Sequence, residues 1–312
     1  MGRKKRAKIE FRFYEVPQGE RCLALLGEKW IMVYGKSDKY LHFHNLFEVG
    51  YCRNGEGHLI LGEKTCNYES GMFSAIPANY PHTTISYQEN FWEYIFFDME
   101  EVLSQIYPGN PSRVRQTLDI VNKRADLFYE DEQAEMAQII KSIMEEMRDK
   151  KPYYNETTAN LLRAFVLLLI RIQEHRTADS RFVRGEDRAA LKSINPAIEF
   201  VDRNYSENVK IAELALSCSM SETHFRRVFE DVINMSPIDY LNLVRIQNAC
   251  RIMNTTEHSM EVVASECGFT NFSTFNRNFR KFLNTSPYQW KKNRENYESK
   301  LLNYNISAIR GW

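Results

Sequence analysis

The residues best suited to chemistry are three histidines and a glutamate: His42, His44, Glu48 and His82. His42, His44 and Glu48 are separated by even numbers of residues, so on one strand their side chains would face the same side, and His82 could join them from a neighbouring strand. Three imidazoles and a carboxylate suit Fe, Mn, Ni or Zn. A divalent metal ion with these four residues as ligands is therefore one interpretation of the spacing.

The same four residues allow two other interpretations. They could line a metal-free pocket for a small-molecule effector, or form a hydrogen-bonded polar core without a ligand. Trp92, Tyr94 and Phe96 share one face of a nearby predicted strand, and such rings either stack on a sugar or fill the interior. The predicted effector-binding residues are His42, His44, Glu48, His82, Trp92 and Tyr94.

These residues lie in a stretch with the pattern of short antiparallel strands. From Phe11 to Phe97, aromatic or β-branched residues alternate with polar ones, and turn sequences such as Asn54-Gly55 interrupt them. A β-barrel or sandwich is the fold that this pattern favours.

Beyond Pro111 the apolar residues recur at helical spacing. The pattern predicts one helix over about residues 131–149 and a second over about 155–175, packed as an antiparallel pair. The apolar run from Leu161 to Ile170 makes this pair the candidate homodimer interface, although packing within the chain explains the run almost as well.

Length and composition limit the class of protein. The chain has 312 residues, 43% of them hydrophobic, which leaves room for two or three domains with buried cores. Lys and Arg number 41, as do Asp and Glu, so a uniformly basic histone-like protein is excluded and a nucleic-acid surface must be a local patch. No apolar run is long enough for a bilayer and no signal peptide opens the chain, so we expect a cytoplasmic protein without a membrane partner.

The C-terminal third contains an internal repeat with an offset of 50 residues. Each copy has a short amphipathic segment, a tight turn and a second helix, which predicts two helix-turn-helix units joined by a helix from about Ile238 to Met253. We expect Ser221 and Asn271 to cap the second helices of the units, and Asn234 and Asn284 to end them. The repeated residues are Phe225-x-Arg227-x-Phe229, Ser236-Pro237 and Tyr240 in the first copy, and Phe275-x-Arg277-x-Phe279, Ser286-Pro287 and Trp290 in the second.

Further residues complete a recognisable set. They are Ile211-Ala212-x-Leu214-Ala215, His224, Arg245, Ala249, Val263-Ala264 and Gly268-Phe269. With this set the sequence resembles the arabinose-regulator (AraC/XylS) family of bacterial transcription factors over about residues 194 to 294. It departs from the family at the glycine usual before each Ser-Pro, and at Lys291, where arginine is usual.

The resemblance implies that the second helix of each unit enters the major groove of double-stranded DNA. Base contacts are then expected from Thr223, Arg226 and Arg227 in the first unit, and from Ser273, Asn276 and Arg277 in the second. For Arg227 and Arg277, a phosphate contact or a structural ion pair is an equally good interpretation. The full set of predicted DNA-binding residues is Thr223, Arg226, Arg227, Arg245, Ser273, Asn276, Arg277, Arg280 and Lys281.

Charge differs between the two units. The segment from Thr270 to Arg294 has six basic residues and no acidic one, whereas the segment from Ser221 to Asp231 has a net charge of minus one. We therefore expect the second unit to supply more of the salt-dependent attraction to phosphates.

The histidine region has Gly35, then His42-x-His44 with Glu48, and later Gly71, Pro77 and His82, with Asn79 where glycine is common. These spacings resemble the paired motifs of the cupin superfamily. A cupin-like domain attached to this type of DNA-binding domain implies a transcription regulator, more often an activator working with RNA polymerase, that senses a small metabolite, often a sugar. No cofactor is required, and a divalent metal is compatible with the domain.

Two alternatives stay open. One is a metal-dependent cupin enzyme that uses His42, His44, Glu48 and His82 as ligands. The other is a DNA-binding protein that acts without an effector.

The expected fold class is α+β: a cupin-like β-barrel, a helical pair, and an all-α domain with two helix-turn-helix units. The expected boundaries are 1–110 for the sensor, 111–176 for the helical pair, 177–190 for a linker, 191–296 for the DNA-binding domain and 297–312 for a tail.

Overall fold

The computed structural model describes residues 10–12, 14, 16–17, 19–35, 41–62, 64–175, 183–184, 189–233, 235–283 and 285–292. The main segments of its two compact units are Phe11–Gly185 and Glu186–Asn296. The first unit contains strands and helices, and the second is helical over its described residues, which confirms the α+β class. The predicted tail and most of the predicted linker lie outside the described residues.

The described strands of the first unit form two six-stranded sheets. Sheet A has the order β1-β4-β9-β6-β7-β12, and sheet B has the order β11-β8-β5-β10-β2 with β3 also paired to β10. The strands are β1 (Glu10–Arg12), β2 (Leu23–Leu25), β3 (Ile31–Met32), β4 (His42–His44), β5 (Phe47–Asn54), β6 (Glu56–Leu61), β7 (Lys64–Glu69), β8 (Met72–Ile76), β9 (His82–Ile85), β10 (Asn90–Phe97), β11 (Asp126–Tyr129) and β12 (Val183–Arg184).

The expectation of a closed barrel is wrong for the described strands, because each sheet keeps free outer strands. Sheet A ends at β1 and β12, and sheet B ends at β11 and β2. The two sheets instead enclose a common core, in which Leu59 and Tyr68 of sheet A meet Trp92 and Tyr94 of sheet B. A sandwich therefore positions the residues that a barrel was expected to hold.

Four helices cover the other face of sheet B. They are α1 (Met99–Ile106), α2 (Pro111–Val121), α3 (Ala134–Asp149) and α4 (Tyr154–His175). Phe47 and Phe97 of sheet B share a second apolar core with Ile140 of α3 and Phe165 of α4. Most of the apolar run on α4 faces this core, since Leu162, Phe165, Val166, Leu169 and Ile170 are buried there. Packing within the chain thus accounts for that run.

The second unit consists of seven described helices that follow the sequence repeat. They are α5 (Ala189–Asn204), α6 (Ile211–Ser217), α7 (Glu222–Ile233), α8 (Pro237–Thr255), α9 (Met260–Glu266), α10 (Phe272–Leu283) and α11 (Pro287–Lys292). Helices α6 and α7 form the first helix-turn-helix unit, α9 and α10 form the second, and α8 joins them. None of the described helices has the length and apolar character needed to cross a membrane.

The helix ends follow the predicted capping. The Ser221 hydroxyl accepts from the His224 N–H at 3.4 Å, and the Asn271 side chain accepts from the Thr274 N–H at 2.8 Å. Such bonds satisfy backbone donors that a helix start leaves unpaired. Asn234 and Asn284, the predicted C-terminal residues of these helices, lie outside the described residues.

Candidate functional site

Helix α7 is the second helix of the first unit and is called its recognition helix below. One side of it is buried in the core of the unit, and the opposite side is polar and exposed. Phe225 and Phe229 are fully buried, whereas Thr223 and Arg227 are exposed. Arg226 is held by Glu222 one turn earlier, with its Nη2 2.7 Å and its Nε 3.1 Å from the same carboxylate oxygen. The structure thus presents the three predicted base-contacting residues on the outer side of this helix.

The recognition helix of the second unit, α10, repeats this arrangement. Phe275 and Phe279 are fully buried, while Ser273 and Arg277 are exposed and Asn276 is half-buried. Arg280 and Lys281 are exposed at its C-terminal end, and Lys281 Nζ lies 2.6 Å from the Asp239 carboxylate of α8. Arg277, Arg280 and Lys281, three of the six basic residues counted in the second unit, are therefore at its surface, and Arg294 lies outside the described residues.

Arg245 differs from the other predicted DNA-binding residues. Its side chain on α8 is mostly buried and donates to the backbone carbonyls of Tyr205 and Glu207, at 2.7 and 2.8 Å. The guanidinium carbon also lies 5.6 Å from the centre of the Phe269 ring. These contacts tie α8 to the chain that leaves α5, which is a structural role.

The four predicted metal ligands come together inside the first unit. All four are buried, and one ligand atom from each lies within 4.8 Å of the others. They do not share one strand, as the spacing suggested: His42 and His44 lie on β4, but Glu48 lies on β5 of the other sheet. The chain bends at residues 45–46 and passes from sheet A to sheet B there. His82 faces His42 across the β4–β9 pairing.

Backbone carbonyls orient two of the histidine rings. His44 Nδ1 lies 2.9 Å from the Leu46 carbonyl oxygen, and His82 Nδ1 lies 2.8 Å from that of Tyr80. Because a carbonyl oxygen only accepts hydrogen bonds, each Nδ1 carries a proton. The Nε2 atoms are then turned to the same Glu48 oxygen, at 2.9 Å from His44 and 3.3 Å from His82.

The cluster combines two kinds of donor that bind divalent cations, imidazole nitrogen and carboxylate oxygen. Burial lowers the pKa of His44, against the effect of its hydrogen bond to Glu48. Burial alone would raise the pKa of Glu48, but the charge of His82 and hydrogen bonds from both histidines bring it to about 2. When Nδ1 donates to a carbonyl, an unprotonated Nε2 presents a lone pair, so His44 and His82 could share a cation with the Glu48 carboxylate. The residues present therefore fit a divalent metal ion, and hydrogen bonds from Nδ1 to carbonyls are typical of metal-binding histidines. With Nε2 protonated, the same atoms would form a hydrogen-bonded polar core instead.

The predicted aromatic residues fill the interior between the sheets. Trp92 and Tyr94 are buried and stack at 6.0 Å with a 13° angle between their planes. Tyr94 also stacks on Phe96 at 6.2 Å, and the Phe96 ring meets the His44 ring edge-on at 5.2 Å. Tyr94 thus stacks on two other rings of its own strand.

Sequence reasoning missed Tyr14 and Asn45 beside the cluster. The Tyr14 ring lies 5.3 Å from the ring of His44. The Asn45 side chain accepts from the Tyr14 N–H at 2.7 Å and donates to its carbonyl at 2.8 Å. An asparagine between two motif positions was the only signal in the sequence, and nothing there indicated its partner 31 residues earlier.

One row of paired residues connects the cluster to the strand that precedes the second unit. His42 is paired with His82, His82 with Leu61, Leu61 with Lys64, and Lys64 with Arg184. The row crosses β4, β9, β6, β7 and β12 of sheet A in register. At about 4.8 Å per strand it is about 19 Å long.

Comparison with known proteins identifies both units. Residues 36–183 match the family model of the AraC-like ligand binding domain, and residues 214–293 match that of a helix-turn-helix domain. The chain is 35% identical over 83 residues to the HTH-type transcriptional regulator Rv1931c of Mycobacterium tuberculosis, which covers 27% of this chain and 32% of that protein. It is 29% identical over 127 residues to an uncharacterised HTH-type transcriptional regulator of Haemophilus influenzae, covering 40% and 43% of the two chains. The chain thus spans less than half the length of these curated relatives.

A solved structure, that of ToxT from Vibrio cholerae O395, overlaps 88% of this chain and 97% of its own at 15% identity, with a TM-score of 0.35. The assignment depends on the family models and not on that overlap. Both of these curated relatives are transcriptional regulators, not enzymes. The first unit thus matches an AraC-like ligand binding domain and the second a helix-turn-helix domain, the combination on which the resemblance to the AraC family of transcription regulators rests.

Proposed function

We propose that this protein binds a specific DNA site with its second unit and changes that binding when a small molecule occupies its first unit. The observation that carries the proposal is the pair of helix-turn-helix units, whose helices α7 and α10 each expose polar residues beside a buried aromatic core. Two unlike recognition helices on one rigid unit predict an asymmetric site of about 20 base pairs.

The proposed DNA interface has two kinds of contact. Base contacts come from Thr223, Arg226 and Arg227 on α7 and from Ser273, Asn276 and Arg277 on α10. Arg280 and Lys281 contact phosphates, because they lie in the last turn of α10, away from the end that enters the groove. Arg245 is left out, since its guanidinium is committed to backbone carbonyls.

Selection from a random library of duplex DNA by the full chain tests the interface. We expect one asymmetric site to be enriched, and we expect Arg277→Ala to weaken binding to it by about 10-fold or more, as loss of an arginine contact does. Arg203→Ala, an exposed arginine on α5 outside both recognition helices, is the matched control. Equal losses for both variants would contradict the interface.

For the first unit we propose that His42, His44, Glu48 and His82 hold a divalent metal ion. A bound metal would supply a Lewis-acidic point for an oxygen atom of the effector. Trp92 and Tyr94 would form part of the wall of the effector-binding pocket that we propose beside this metal ion. Because Tyr94 already stacks on Trp92 and Phe96, we propose that the effector is a carboxylate- or hydroxyl-bearing metabolite held through the metal and not through stacking on Tyr94.

Metal analysis of the purified full chain, after separate exposure to Zn, Mn, Fe and Ni, tests this site. We expect about one equivalent of one metal in the wild type and in His58→Gln, a histidine of β6 outside the cluster. Glu48→Gln is expected to lose the metal, because an amide is a poor substitute for a charged ligand. A polar core without metal predicts no bound metal in any sample, and the Glu48→Gln substitution would then be tolerated.

The row of paired residues from His42 to Arg184 supports coupling between the two sites. It extends in register to β12, five residues before the start of α5. An effector that changes the cluster could shift this row and so change how the linker holds to sheet A.

We also propose a homodimer through the α3–α4 pair, with Leu167, an exposed apolar residue of α4, at its centre. Sedimentation of Leu167→Glu is expected to show a shift toward monomer. Tyr87→Glu, which removes an exposed apolar residue elsewhere, leaves the dimer unchanged.

We also propose activation of transcription, contact with RNA polymerase and a cytoplasmic location. These proposals follow from the family resemblance and from the proposed binding to DNA, and promoter assays in cells test them.

A further inference from the structure

The two recognition helices have the same framework but differ at two positions on one face. Phe225 and Phe275 are buried alike, and Arg227 has its counterpart in Arg277. The first and fifth residues of each helix, however, are Glu and Arg in α7 and Phe and Asn in α10. Residues four apart lie on the same face of a helix, about 5–6 Å from each other.

In α7 these two positions form a polar pair at the surface. Glu222 and Arg226 have side chains that are 46% and 43% exposed, so the contact between them can be shared with a ligand. In the major groove, arginine donates to O6 and N7 of guanine, and glutamate accepts from N4 of cytosine. One G·C pair offers both groups together. An A·T pair would place an acceptor, O4 of thymine, or a methyl group against the carboxylate, which is unfavourable.

In α10 the same two positions form an apolar and amide pair. Phe272 is 38% exposed, and its ring lies 5.8 Å from that of Phe275 at 45°. The Asn276 side-chain oxygen is covered and has no hydrogen-bond partner among the described residues. Turning this amide toward a base therefore costs that oxygen no hydrogen bond within the described protein. Asparagine can pair with N6 and N7 of adenine, and a phenyl ring contacts the methyl group of thymine.

We propose that the two units use these equivalent positions to select different base pairs: Glu222 with Arg226 selects G·C, and Phe272 with Asn276 selects A·T. Glu222 and Phe272 are thus specificity-determining residues in addition to the base-contacting set. The inference depends on the proposed DNA binding. Thr223 and Ser273 are both hydroxyl residues, and Arg227 is matched by Arg277, so these positions do not explain a difference between the units.

Exchange of the two pairs tests the proposal. The full-length wild type and the variants E222F/R226N and F272E/N276R are each used for selection from the same random duplex library. We expect E222F/R226N to replace G·C by A·T at one position of one half-site, and F272E/N276R to make the opposite change in the other half-site. Measured on matched duplexes, each good contact corresponds to a preference of about 5- to 140-fold.

Two further variants keep the test decisive. Arg226→Lys keeps the charge at a partly exposed position but replaces the planar donor pair by a single ammonium, so it should weaken the preference for G·C while keeping its affinity for random DNA. Arg280→Gln, on the same helix as Phe272, should lower affinity for all sequences equally.

The outcomes separate the inference from the function that it depends on. If the wild type enriches no sequence, the proposed DNA binding itself fails. If the wild type enriches a site but the exchanged pairs and Arg226→Lys keep its base preferences, the assignment of these four residues is overturned. A change of preference confined to the expected half-site supports it.

Discussion

Ser219 and Gly268 occupy equivalent places in the turns of the two helix-turn-helix units, and both have a left-handed backbone, with φ of 55° and 81°. A side chain at Gly268 would place its Cβ 2.7 Å from the Ser206 carbonyl oxygen and 2.8 Å from that of Tyr205. Ser219 shows that the conformation alone is tolerated when no such neighbour is present. The glycine at 268 is therefore required mainly by the close approach of the chain after α5.

This difference predicts opposite effects of two substitutions. Gly268→Ala should lower the free energy of unfolding by at least about 1–2 kcal/mol, because it adds a clash to the cost of a left-handed alanine. Ser219→Gly should raise it by up to about 1 kcal/mol, since relief of backbone strain exceeds the entropy cost of glycine. Urea unfolding of the full chain measures both. A Gly268→Ala protein as stable as the wild type would show that the neighbouring carbonyls give way easily.

At the scale of elements, Arg245 joins α8 to the segment after α5, whereas Arg280 on α10 is exposed. Burial lowers the pKa of Arg245, a sign of the cost of placing that charge there. Arg245→Ala should lower the free energy of unfolding by about 2–3 kcal/mol, because two carbonyls lose a charged donor. Its effect on the preferred DNA sequence should be nil.

Arg280→Ala should behave in the opposite way. Its free energy of unfolding should stay within about 0.5 kcal/mol of the wild type. The plot of the logarithm of the DNA-binding constant against the logarithm of salt concentration should become shallower, its negative slope losing about 0.9 in magnitude for one lost phosphate contact. Titration of duplex DNA at several salt concentrations, together with urea unfolding, separates the two roles. If Arg245→Ala changes base preference, the structural role assigned to Arg245 is wrong.

The sequence predicted those elements whose pattern is repeated or strongly periodic. Helices α6 and α9 are the short amphipathic segments predicted before each turn, because two copies of one motif reinforce each other. Helices α1 and α2 were not predicted. Helix α2 buries only Val114, Thr117 and Val121, so its apolar period is weak, and its start is marked mainly by the Asn110 cap.

The candidate metal site was predicted in composition but not in topology. Even spacing predicts Glu48 on the strand of His42 and His44, yet the bend at residues 45–46 moves it to the other sheet. Convergence of the four side chains depends on the packing of two sheets, which is a long-range property. Local periodicity cannot report it.

At the scale of the molecule, the chain combines a ligand-binding unit and a DNA-binding unit, and their family models match separate segments. Regulation then requires that the effector bind more tightly to one state of the molecule than to another. The register of sheet A, which connects the histidine cluster to β12, is where we expect that difference to be transmitted.

The most direct test of a ligand-responsive regulator is selection of sheared genomic DNA from the source organism by the purified full chain, with and without a small-molecule extract of the same cells. We expect enrichment of one asymmetric site, altered by the extract, and loss of that response in Glu48→Gln. Enrichment that ignores the extract would indicate a DNA-binding protein without an effector. No enrichment in either condition would contradict the central claim.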